Sequence, residues 1–68
     1  MEDIKQVIIE LEKKLQESRE EIAKLEDRIY FLQKHNFQEE ARIINFKIGA
    51  MFRTHNIFLE FLEDLKNK

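Results

Sequence analysis

Apolar residues in the first half of the chain recur at alternating spacings of four and three. Ile4, Ile8, Leu11, Leu15, Ile22, Leu25, Ile29 and Leu32 follow this rhythm, and Ser18 fills the one polar step. Such spacing is the heptad seam of a helix packed lengthwise against another helix. The other positions hold mostly Glu, Lys, Gln and Arg, side chains that lose little freedom on entering a helix. Glu10/Lys14 and Glu20/Lys24 stand four residues apart with the acid leading, an orientation that contributes about 0.2–0.5 kcal/mol per pair. The pattern predicts a first helix over about residues 2–35.

The rhythm breaks at Lys34-His35-Asn36 and resumes in Phe37, Ala41, Ile44, Ile48, Met51, Phe58, Leu62 and Leu65, with His55 at the polar step. This predicts a second helix over about 37–66, joined to the first by a turn at about 35–37. Asn36, with Glu39 three residues later, reads as a capping box opening that helix. Gly49 costs its interior about 1 kcal/mol, and Thr54-His55-Asn56 are weak helix formers. A break near Thr54-Asn56, giving three helices, is the alternative. The seam keeps its phase across both places, which favours one continuous helix.

The expected fold is all-α: a single domain over 1–68 made of an antiparallel two-helix hairpin. Setting Leu32 against Ala41 places Ile29 on Ile44, Leu25 on Ile48, Ile22 on Met51, Leu15 on Phe58, Leu11 on Leu62 and Ile8 on Leu65. The polar steps of the two seams, Ser18 and His55, then fall in one layer. Two independent interruptions that coincide are the strongest internal argument for this register. The layer reads as a buried polar pair that fixes alignment. A pH-sensitive element is the sharper reading: a neutral buried imidazole favours the fold at high pH and loses that contribution as acidification charges it.

A hairpin seam does not account for all the apolar residues. Seven more lie between 43 and 61: Ile43, Phe46, Ala50, Phe52, Ile57, Leu59 and Phe61. Ile43, Phe46, Ala50, Ile57 and Phe61 form a second stripe off the seam, while Phe52 and Leu59 widen the seam side. A helix apolar around most of its circumference is normally buried, and these seven are the expected oligomer or partner interface. Chains below roughly 70–80 residues rarely stabilise a core without disulfides, metal or association. The 68-residue chain has no Cys, so association is the open route. The expectation is a homodimer forming a four-helix bundle, with the second helices near its centre.

Flanking charges bear on the pairing. Within one hairpin Arg28 would approach Lys47, and Lys5 would approach Lys66. Two first helices packed antiparallel would instead bring Glu12 to Arg19, Lys5 to Glu26 and Lys14 to Glu21 of the other copy, whereas a parallel pairing brings like charges together.

With 12 Lys+Arg against 14 Asp+Glu the net charge is −2, which gives no bulk attraction to nucleic acid or anionic membrane. No apolar run approaches the ~20 residues a membrane span needs and no secretory leader heads the chain, so the expected location is cytoplasmic. With no Pro and one Gly, a multi-turn β fold is excluded. No phosphate loop, nucleophile elbow or bundle di-metal Glu-x-x-His pattern occurs. No catalytic residue, metal ligand or cofactor is therefore expected. Lys24, Arg28, Arg42, Lys47 and Arg53 are the candidate contacts for an anion or nucleic acid. Acids at Glu20, Glu21, Asp27, Glu39 and Glu40 oppose them. The functional expectation is a non-enzymatic helical interaction module that self-associates and docks on another protein as a regulator, adaptor or inhibitor. A nucleic-acid-binding hairpin dimer and a small-anion binder between the helices are the alternatives.

Overall fold

The computed structural model describes residues 3–67, and two helices account for nearly all of them: α1 (Ile4–Lys34) and α2 (Gln38–Lys66). Asp3 caps α1 from extended backbone, its carboxylate accepting the Lys5 N–H at 3.2 Å. That bond satisfies one of the N–H groups a helix start leaves without a partner. On the outer face of α1, Lys14 lies 4.0 Å from Glu17 and Gln16 donates to Glu20 at 3.2 Å. These replace the Glu10/Lys14 and Glu20/Lys24 pairs that spacing suggests. Exposed pairs of this kind differ little in energy, so rotamer freedom decides among them.

α1 ends in a left-handed residue. Asn36 has φ 66°, and no other described residue has a positive φ. The Phe37 N–H donates to the Leu32 carbonyl at 2.8 Å, and the Asn36 N–H to the Gln33 carbonyl at 3.2 Å. This nested pair of bonds is a Schellman cap, with Asn36 at its left-handed position. Asn36 thus closes α1 and does not open α2. The residue preceding α2 is Phe37, which makes no side-chain capping bond, so the capping box with Glu39 is not formed. The reason is steric. Reversing the chain this tightly requires one left-handed residue, and asparagine adopts that backbone more readily than its neighbours. Glu39 and Glu40 still occupy the first turn of α2, where negative charge complements the helix dipole.

α2 is uninterrupted through Gly49 and through Thr54-Asn56, so the three-helix alternative does not apply. The Thr54 hydroxyl donates to the Ala50 carbonyl at 3.2 Å, which satisfies the hydroxyl without breaking the ladder. A Cβ built on Gly49 would meet nothing within 4 Å.

α1 and α2 pack against each other as a hairpin. The best-buried layer contains Ile22, Leu25 and Ile48, with Ile29, Ile44 and Met51 against it. These are the residues the seam register brings together. Leu15, Ala41 and Leu62 are also buried. The buried set is wholly aliphatic apart from Ala41, and each fully buried side chain of this size contributes about 1.5–3 kcal/mol. The hairpin is a rod of 51 × 18 × 15 Å with a radius of gyration of 15.7 Å. A compact chain of this length would measure about 11 Å.

Candidate interaction surface

The Ser18–His55 layer forms. His55 Nδ1 lies 3.3 Å from Ser18 Oγ across the helix pair, which ties the register at mid-length. Both residues are only half-buried, so the layer borders solvent and is not enclosed as the seam positions alone suggest. Beside it a recess of about 180 Å³ is lined by Lys14, Leu15, Ser18, Thr54, His55 and Phe58. Ligand pockets commonly run to about 300–1,000 Å³, so this one is small.

The five candidate cations divide. Lys24, Arg28 and Lys47 line one open recess of about 500 Å³ together with Glu17, Glu20 and Glu21. Arg28 and Lys47 share this recess, as the register requires, and the three acids oppose the basic field there. Arg42 lies apart, 3.4 Å from Glu39, in a separate depression with Gln33, Gln38 and Asn45. Arg53 lines neither recess. Lys66 pairs with Glu12 at 3.7 Å, which gives it an acidic partner in the same chain. Among the described residues no group of His, Asp or Glu is placed to hold a metal ion, and no helix is long and apolar enough to cross a membrane.

The apolar stripe of α2 is open to solvent. Phe46 is 79% exposed, Ile43 68% and Ile57 66%, and Ala50 and Phe61 are exposed with them. Phe52 is also exposed, and Leu59 is half-buried beside it. On that flank Phe52, Tyr30, Ile29 and Ile48 line a groove of about 310 Å³ with polar Glu26, Gln33 and Asn45.

Exposure extends beyond the stripe. All six phenylalanines of the chain, Phe31, Phe37, Phe46, Phe52, Phe58 and Phe61, are at least 45% exposed. Phe58 and Phe37 belong to the seam by spacing yet emerge from it, as does Ile4 at the open end. Phe31 lies against His35, ring centroids 4.5 Å apart. No protein-family model, curated protein or solved structure matches the chain. The surface itself must therefore carry any functional reading.

Its area is informative. The hairpin exposes 5858 Å², whereas a compact 8.4 kDa protein exposes about 4,600 Å². The excess is roughly 1,200 Å² per chain, more than the ~800 Å² each partner contributes to a standard protein interface. The exposed phenylalanines are the kind of aromatic surface that interfaces favour.

Proposed function

We propose that the protein is a non-enzymatic helical interaction module that self-associates into a four-helix bundle and acts by docking on another protein, as a regulator, adaptor or inhibitor. The observation that carries the reading is the exposure of every phenylalanine in a chain whose core is aliphatic. Phe side chains bury roughly 150–250 Å² each when covered and dominate interface energetics. Two surfaces divide the work. The stripe Ile43, Phe46, Ala50, Ile57 and Phe61 is continuous along α2 and serves self-association. The Tyr30–Phe52 groove lies on another flank, with polar groups at its edge, and is the site offered to a foreign protein.

Four large apolar side chains per chain, Ile43, Phe46, Ile57 and Phe61, at about 1.5–3 kcal/mol each outweigh an association cost of about 4–15 kcal/mol for the pair. Sedimentation equilibrium at micromolar concentration tests this directly. The expected mass is twice that of the chain, and Phe46→Glu or Phe61→Lys is expected to return it to the monomer. A monomer that stays folded and unassociated at high micromolar concentration would overturn the reading. Titration with RNA or DNA at low salt addresses the alternative class. A salt-dependent complex through Lys24, Arg28 and Lys47 would favour it.

A further inference from the structure

The self-association proposed above leaves open which helices meet and in which direction, and α1 and α2 are not equal candidates. Of the six charges that would pair across two α1 helices, two already have partners in the same chain: Glu12 lies 3.7 Å from Lys66 and Lys14 lies 4.0 Å from Glu17. The apolar stripe on α2 has no such occupation. α2 runs Gln38–Lys66, so its midpoint falls at Phe52.

The stripe is nearly a palindrome about that midpoint. Ile43 lies nine residues before it and Phe61 nine after. Phe46 and Ile57 lie six before and five after. Ala50 and Thr54, both small, lie two before and two after. We infer that two copies pair α2 against α2 antiparallel, about a two-fold axis near Phe52, with Ile43 against Phe61 and Phe46 against Ile57 of the partner subunit.

Such an interface is self-complementary, as a two-fold requires. The bulky pairs lie toward its two ends and the small residues Ala50 and Thr54 at its middle, where the helix backbones approach. Arg42 and Glu60 lie on one flank of the stripe, and the antiparallel register sets each near the other across the two copies. Arg42 is exposed and already gathers Glu39 at 3.4 Å; the partner's Glu60 adds a second acid. Arg53 lies one residue past the axis on the same flank as Arg42 and Glu60, so the two-fold brings the two Arg53 side chains close, the like-charge contact of this register.

The inference rests on the self-association reading, and the test separates the two. The chain has no Cys, so single cysteines report position cleanly. Chains carrying Arg42→Cys and chains carrying Glu60→Cys are mixed at micromolar concentration, equilibrated and treated with a short bis-maleimide. Both positions are exposed and leave the stripe intact. The expected product is the mixed 42–60 dimer, at least about tenfold over the 42–42 and 60–60 products. Phe46→Glu in both chains abolishes it. A dimer by mass that cross-links 42–42 and 60–60 overturns the antiparallel direction. A dimer that cross-links at neither position overturns the α2 interface while self-association stands. A monomer by mass overturns both.

Discussion

α1 and α2 present nearly the same inner face and opposite outer faces. Each carries a seam of aliphatic residues with one polar step, and the seams lock where Ser18 meets His55. Outside the seam α1 shows mostly charged side chains, several paired with near neighbours, while α2 shows phenylalanine and isoleucine. A hairpin needs both seams, but it does not need the outer face of α2. The difference separates what makes the chain fold from what makes it associate. It predicts that matched substitutions on the two faces fail in different ways.

The largest effect is expected in the seam. Ile22→Ala removes a buried side chain, only 3% exposed, and is expected to cost about 2–4 kcal/mol, read as loss of helical signal on urea titration at any protein concentration. Ile43→Ala removes the same atoms from the outer face of α2. It is expected to leave the unfolding midpoint within about 0.5 kcal/mol in dilute protein and to weaken association at high concentration. Equal losses for the two variants in dilute protein would erase the distinction between faces.

The turn ranks next. Asn36→Val forces a β-branched residue into left-handed backbone and is expected to cost about 1–2 kcal/mol, whereas Asn36→Gly is expected to be neutral or slightly stabilising. If Asn36 were instead an N-terminal cap, Asn36→Asp would be the better-tolerated change. Thermal melts of the three variants decide. Gly49→Ala, at an open helical position, is expected to stabilise α2 by about 0.5–1 kcal/mol. A loss there would mean that something covers that side of α2. The smallest effect belongs to the polar layer: a double-mutant cycle of Ser18→Ala and His55→Leu is expected to give a coupling of about 0.5–1 kcal/mol.

The seam could be read in advance because heptad spacing maps directly onto one face of a helix. Its register could be read because only one polar step occurs on each strand of the pairing. α2 passes through Gly49 and Thr54 because a packed seam outweighs a propensity cost near 1 kcal/mol, and the Ala50 carbonyl satisfies the Thr54 hydroxyl. The turn was not legible, because asparagine suits both an N-terminal cap and a left-handed residue; backbone direction alone decides between them. Phe58 was misplaced for a different reason. It borders the half-open Ser18–His55 layer and lines the recess there with Lys14, Leu15 and Thr54, so its ring meets solvent. Of the candidate site residues, Lys24, Arg28 and Lys47 converge as spacing implies. Arg42 does not join them, because five residues before Lys47 on α2 it projects from a different side of the helix, where it pairs with Glu39.

The single reversal at Asn36 puts both chain ends of the described segment at one pole of a 51 Å rod. Two rods laid head to tail would carry those ends at opposite poles. Whatever is tethered there would be held a rod's length apart and pointed away from its counterpart.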